Sequence, residues 1–171
     1  MTSSLPPVFT RSLDTPIGPL FLAASDAGLQ LIEFPHQRRP APRGAHWRAG
    51  HHPVLDAASR QLDAYFAGRL QQFQLPLAAR GTPFQHSVWS ALRQIPYATT
   101  TSYAALAQAV GRPTATRAVG AANGRNPLPI VVPCHRVIAA SGALSGFSGG
   151  LETKQFLLDL EAARPQPGLL T

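Results

Sequence analysis

Cys134 is the only cysteine in this chain of 171 residues, and His135 and Arg136 follow it directly in Pro133-Cys134-His135-Arg136. A lone thiol makes no intramolecular disulfide, and four-ligand zinc sites usually draw on several cysteines. Nucleophilic chemistry fits better: a thiolate attacks, an imidazole can take the proton, and a guanidinium adds positive field. A free thiol has a pKa of about 8.5, so only a small fraction is thiolate at neutral pH and a base is needed. The spacing brings a geometric difficulty. Ile130-Val131-Val132 reads as a strand, and if 130–138 is extended, Cys134 and His135 point to opposite sides. They can then cooperate only through a bridging water or a turn starting at Pro133. A basic imidazole also needs an acceptor on its other nitrogen. The carboxylates in this half of the chain are Glu152, Asp159 and Glu161. The bland reading of Cys134, an inert buried hydrophobe, is weakened by the His and Arg beside it.

The charge distribution narrows the substrate. The net charge is +7, and no acidic residue lies between Asp63 and Glu152. That stretch carries Arg69, Arg80, Arg93, Arg112, Arg117, Arg125 and Arg136. A basic, acid-free segment suits a phosphate backbone. An Arg-rich coding bias explains the preference for Arg over Lys, but not the missing Asp and Glu. Hydrophobic content of 44% supports a packed core. No apolar run approaches the roughly 20 residues of a membrane span. The first residues carry no basic segment ahead of an apolar one, so no secretory signal is expected.

The elements that must position these groups fall into two halves. Residues 8–13, 20–25 and 29–34 read as three strands of a meander, with turns at Pro16-Ile17-Gly18-Pro19 and Asp26-Ala27-Gly28. Residues 35–52, rich in Pro, Arg and His, read as a loop. Leu55, Ala58, Leu62, Tyr65 and Phe66 follow helical spacing over 54–66, with Gly68 as the stop. Residues 73–77 read as an edge strand, because Pro76 cannot donate to a ladder. The first domain is thus expected over 1–78, a linker over 79–81, a second domain over 82–165 and a tail over 166–171. In the second domain Thr82, Pro83 and Gln85 form a capping box for a helix running to about Ile95. Ser102 caps a helix over 103–110 that ends at Gly111. Thr114 is the expected cap of a third helix over 115–123. Helix, short Gly-containing turn, helix is the helix-turn-helix pattern. The third helix has one long charged side chain, Arg117, among very small residues, which permits close approach to a DNA groove or tight packing on a core. Residues 140–150 are a Gly-rich loop without the Gly-Lys-Ser/Thr of a phosphate-binding loop. The last helix is expected over 151–163, with Phe156, Leu157 and Leu160 on one face.

Together these residues resemble one family. Pro133-Cys134-His135-Arg136-Val137-Ile138 looks like the active-site motif of the O6-alkylguanine-DNA alkyltransferases. The frame around it is similar too: Gly81-Thr82-Pro83-Phe84-Gln85, Val88-Trp89, Ile95-Pro96-Tyr97, Ser102-Tyr103, Arg117-Ala118-Val119-Gly120, Asn126-Pro127, Gly149-Gly150-Leu151 and Lys154. The strong match covers about 82–161, and a weaker one extends upstream through Tyr65-Phe66-Ala67-Gly68 and Thr15-Pro16-Ile17-Gly18-Pro19-Leu20. The resemblance implies an α+β chain: a small N-terminal α/β domain with an RNase H-like antiparallel sheet, then a helical, winged-helix-like DNA-binding domain.

It also implies roles. Cys134 takes the alkyl group from O6-alkylguanine, and also from O4-alkylthymine, irreversibly and once. His135 deprotonates it through a water and is oriented by Glu161. Asn126 braces the turn before the cysteine, and Tyr103 donates to N3 of the departing guanine. Arg117 wedges into the stack as the nucleotide is flipped out, while the third helix, with Thr116, Ala118, Gly120 and Arg125, lies in the minor groove. Backbone groups at Val137 and Ser148 read the base, with Phe147 packing on it. Two departures matter: Phe147 stands where relatives often have Tyr, and Ala98 where Gly is common. The expected partner is double-stranded DNA carrying the lesion, bound by a monomer in the cytoplasm. No cofactor and no metal are expected; the zinc of some relatives sits on N-terminal cysteines that this chain lacks. The alternative within the same superfamily is a non-catalytic, alkyltransferase-like damage binder, but such proteins replace the nucleophile, typically with Trp. A Cys-His hydrolase does not fit adjacent Cys and His, and no extra module suggests a transcriptional regulator.

Overall fold

A computed structural model describes residues 5–37 and 39–163. The expected tail over 166–171, and residues 164 and 165 of the expected second domain, lie outside the described residues. The chain divides into two compact units, Met1–Arg80 and Gly81–Thr171.

The first unit is a four-stranded sheet with one helix. β1 (Val8–Leu13), β2 (Leu20–Ser25) and β3 (Gly28–Glu33) form an antiparallel meander, and β4 (Trp47–Ala49) joins the edge parallel to β1, giving the order β3-β2-β1-β4. The first turn is closed by Thr15, whose carbonyl accepts Gly18 N at 3.0 Å and whose hydroxyl donates to Gly18 O at 2.6 Å. The second needs Gly28: it has φ +138, and a Cβ there would stand 2.5 Å from Pro76 O. α1 (Pro53–Phe66) buries Leu55, Ala58, Leu62 and Tyr65. Its N-cap is His52, whose ring accepts from Val54 N while Nε2 meets Asp26 at 2.8 Å.

Two expectations for this unit need correction. Residues 35–52 are not loop throughout, because 47–49 form β4; a three-residue parallel pairing leaves no periodic signal. Residues 73–77 form no strand. Only Leu77 bridges Leu29, and Pro76 contributes a carbonyl to Leu29 N at 2.8 Å.

The second unit is helical. α2 (Pro83–Leu92) starts on the expected capping box: Thr82 Oγ1 accepts Gln85 N at 3.1 Å, and Gln85 Oε1 accepts Thr82 N at 3.0 Å. It ends before Ile95. Trp89 Nε1 donates to Ala122 O at 2.9 Å, tying α2 to α4 (Thr116–Gly124). Gly81 makes room for that indole, since a Cβ there would stand 2.5 Å from the ring. β5 (Thr101–Ser102) leads into α3 (Tyr103–Ala109), capped by Ser102, whose Oγ accepts Ala105 N at 3.1 Å. Gly111, at φ +75, turns the chain. Thr114 does not cap α4. The cap position is Ala115, without a side-chain bond, and the turn closes through Ala115 N to Arg112 O at 2.9 Å.

The stretch 130–138 is not extended throughout and takes the alternative of a turn starting at Pro133. It contains a 3-10 turn, Cys134–Arg136, and only then the two-residue β6 (Val137–Ile138), parallel to β5. α5 (Leu151–Ala162) closes the unit. Its buried residues are Lys154, Leu157 and Glu161, while Phe156 is exposed, so the expected apolar face is replaced by one carrying two charges.

Ala98 has φ +63, a left-handed conformation that costs an L-residue about 1–2 kcal/mol. Ala98→Gly is therefore expected to raise stability by about 0.5–1 kcal/mol, after the extra chain entropy of Gly is subtracted. Urea unfolding of the two proteins checks this; unchanged or lower stability contradicts it.

Candidate active site

The 3-10 turn resolves the difficulty posed by adjacent Cys and His. Pro133 (φ −81, ψ 63) breaks the extended run, and the turn puts His135 and Arg136 on the same carboxylate. Upstream, Asn126 clamps the loop: its Nδ2 donates to Val132 O at 2.8 Å and its Oδ1 accepts Leu128 N at 2.9 Å. Within that loop Ile130 is held at φ +75, which a β-branched residue adopts only when its surroundings impose it.

Cys134 is 3% exposed and His135 is fully buried. Burial pushes the thiol up to about 11, with the Asn126 hydrogen bond and the Lys154 charge working against it. The resting sulfur is thus a protonated thiol, and reaction requires a base. His135 Nε2 lies 2.6 Å from Glu161 Oε2. An ionised carboxylate only accepts, so Nε2 carries the hydrogen and Nδ1 presents a lone pair. Nδ1 is buried and has no hydrogen-bond partner among the described residues. Burial lowers the His135 pKa; Glu161 opposes that, while Arg136 and Lys154 add to it.

Glu161 is held on both oxygens. Oε1 accepts Arg136 Nε at 2.8 Å and Ala98 N at 3.2 Å, and Oε2 accepts His135 Nε2 and Arg136 Nη2 at 3.1 Å. Burial works to raise its pKa, but the His135 and Arg136 hydrogen bonds and charges outweigh this and hold it well below the usual carboxylate range. Arg136 Nη1 also donates to Ile95 O at 2.8 Å, and its guanidinium lies 5.6 Å over the Tyr97 ring.

Lys154 is a further buried charge, besides Glu161 and Arg136. Its Nζ donates to Val137 O at 2.7 Å and Ser145 O at 3.0 Å, joining β6 to the Gly-rich loop 139–150. Ser145 O also accepts a long bond, 3.4 Å, from the Tyr103 hydroxyl. Burial lowers the Lys154 pKa, while a thiolate at Cys134 favours the ammonium.

The structure therefore brings together Cys134, His135, Glu161, Asn126 and Val137, with Tyr103 linked through Ser145. Phe147 and Ser148 are half-buried in the same loop. Thr116, Arg117 and Ala118 on α4, and Arg125 at its C-cap, are exposed, and no side-chain hydrogen bond or ion pair among the described residues joins them to this cluster. Gly120 faces inward, where a Cβ would contact the Tyr103 ring at 3.7 Å. Sequence reasoning missed Arg136 and Lys154 as members of the site. The signal for Lys154 was available: it is the only lysine, three residues before Leu157 and seven before Glu161 on one helical face.

Comparison with known proteins gives a consistent picture. Residues 83–163 match the 6-O-methylguanine DNA methyltransferase DNA-binding domain, and 8–79 match the ribonuclease-like domain of the same family. A methylated-DNA–protein-cysteine methyltransferase from Methanosarcina acetivorans is 47% identical over 150 residues, covering 88% of this chain and 96% of that one. A Mycobacterium leprae protein of the same name is 49% identical over 154 residues, covering 90% and 92%. The crystal structure of the Mycobacterium tuberculosis O6-methylguanine methyltransferase is similar at a TM-score of 0.85 and 46% identity, covering 95% of this chain and 97% of that one. A Mycobacterium tuberculosis OGT solved in complex with DNA is similar at 0.84 and 46% identity, covering 93% and 96%.

Lys154→Met leaves two carbonyls without their donor. It is expected to lower stability by about 1–3 kcal/mol in urea unfolding and to increase protease cutting within 139–150. Unchanged stability and cutting would contradict the tether.

Proposed function

The chain belongs to the 6-O-methylguanine DNA methyltransferase family, and from that premise we propose how its buried thiol performs the repair reaction. The protein is a methylated-DNA–protein-cysteine methyltransferase: it binds DNA and repairs it by moving an alkyl group onto itself. Cys134 is the acceptor. Its proton passes through a water to His135 Nδ1. Sγ then forms a bond to the alkyl carbon while the bond from that carbon to O6 of guanine, or O4 of thymine, breaks. The leaving base carries the negative charge, which the Tyr103 hydroxyl eases by donating to N3 of guanine. The product is a thioether with no route back to a thiol, so each chain turns over once.

The observation that carries this reading is the chain of contacts from a buried thiol's neighbouring imidazole to a doubly held carboxylate, His135 to Glu161 at 2.6 Å. Such an arrangement has no use in an inert core, where it would only add desolvation. Asn126 keeps the turn in place, backbone groups of Val137 and Ser148 read the flipped base, and Phe147 packs on it. The Val137 carbonyl already accepts from Lys154, so one lone pair remains for such a contact.

DNA meets the exposed side of α4 through the minor groove. Thr116, Ala118 and the small residues around them let the backbone approach, Arg125 meets phosphate, and Arg117 fills the space left by the flipped nucleotide. A thiol this buried cannot reach a base inside a duplex, so flipping is required. The protein acts as a monomer, in the cytoplasm.

Cys134→Ala is expected to abolish transfer and retain binding to duplexes carrying O6-methylguanine; transfer by that variant would reject the assignment. Arg117→Ala is expected to slow repair of duplex DNA by about tenfold or more, since flipping involves a few kcal/mol of unstacking. Its reaction with free O6-benzylguanine should be unchanged. Equal losses on both substrates would reject the wedge.

A further inference from the structure

We propose that Arg136 is a positioning residue for the transfer, holding the Glu161 carboxylate in a charge-compensated fork so that His135 rests as a neutral base. This rests on the reading of Cys134 as acceptor and His135 as its base. Three donors of one guanidinium are committed: Nε to Oε1 at 2.8 Å, Nη2 to Oε2 at 3.1 Å, and Nη1 to Ile95 O at 2.8 Å. A planar fork fixes both carboxylate oxygens at once, which a lysine cannot do. Oε2 is thereby aimed at His135 Nε2, and the imidazole is fixed with it. Along a strand Arg136 and His135 would face apart; the 3-10 turn is what gives them a common acceptor.

The charge matters as much as the geometry. A bare carboxylate 2.6 Å from an imidazole favours the imidazolium, which has no lone pair left to accept the thiol proton. Among the described residues, the charged or titratable groups around His135 are Cys134 and Arg136 on its own turn, and Lys154 and Glu161 on α5. Of the three charged ones only Glu161 favours imidazolium. Lys154 is engaged with Val137 O and Ser145 O, whereas Arg136 compensates the carboxylate by direct contact on both oxygens. Burial of His135 acts in the same direction, and Arg136 keeps Glu161 from overriding it.

The test is the pH dependence of Cys134 alkylation by free O6-benzylguanine in single-turnover experiments, for the wild type, Arg136→Gln and Arg136→Lys. Removing the guanidinium raises the His135 pKa. The base is lost below that pKa, so the acid limb of the rate profile should move upward, by roughly one to three pH units in Arg136→Gln. Arg136→Lys keeps the charge but not the fork; its limb should stay near the wild type while the rate falls at every pH. A uniform loss in Arg136→Gln with an unmoved limb, or a Lys variant that shifts as far as the Gln variant, overturns the proposal. Where Arg136→Gln does not fold, the NMR titration of His135 in the wild type decides. Titration below about 6.5, the ordinary histidine value, supports the proposal, and titration above it overturns it. A wild-type protein that takes no benzyl group on Cys134 would sink the underlying reading instead, and the NMR titration does not depend on that outcome.

Discussion

Taking the carboxylate of Glu161 out of water costs several kcal/mol unless both oxygens are met by donors. Among the described residues they are met by the imidazole of His135, two nitrogens of Arg136, and the backbone N–H of Ala98. Much of the second unit follows from that requirement. The chain must turn at Pro133 so that consecutive side chains share one acceptor. Ala98 must adopt a left-handed conformation that presents its N–H. α5 must place a charged residue on its buried face. Removing any one donor leaves part of a buried charge unmatched, so the site holds its geometry before DNA arrives and does not have to assemble around the substrate.

The same turn sets the state of the sulfur. Burial protects Cys134 from solvent and adventitious oxidants but holds it as a thiol. On the proposed reading, nucleophilicity comes from His135 as a base that is neutral at rest, with the tautomer fixed by Glu161 so that Nδ1 is the accepting atom. Lys154 supplies the second component, a positive charge near the sulfur, and it also fastens the Gly-rich loop beside which the base would sit. The exposed side of α4 follows different rules. α4 buries Val119, Ala122 and Asn123 and exposes small residues and Arg117, so its outer face is smooth except for one long cation.

Legibility in the sequence tracked locality. The capping box of Thr82 and Gln85 and the Ser102 cap were readable because each is completed within three residues. The meander was readable from alternation and turn residues. β4 was not, because it is three residues long and pairs with a strand nearly forty positions earlier. The choice between an extended 130–138 and a turn at Pro133 stayed open in the sequence, because apolar, β-branched residues ahead of the motif look like a strand, whereas Asn126, acting from outside the run, holds the bend. Glu161 was one of three carboxylates on chemical grounds, and only the family resemblance singled it out. Arg136 lay next to the nucleophile and was read simply as positive field. Its pairing with a residue 25 positions away is a tertiary fact with no local signature.

The most direct measurement of the central claim is intact-protein and peptide mass spectrometry after incubation with a duplex carrying one O6-methylguanine. The account predicts a single added methyl on Cys134, saturating at one per chain and accompanied by loss of the lesion from the DNA. Methyl groups on another residue, more than one per chain, or removal of the lesion without any change in protein mass would contradict it.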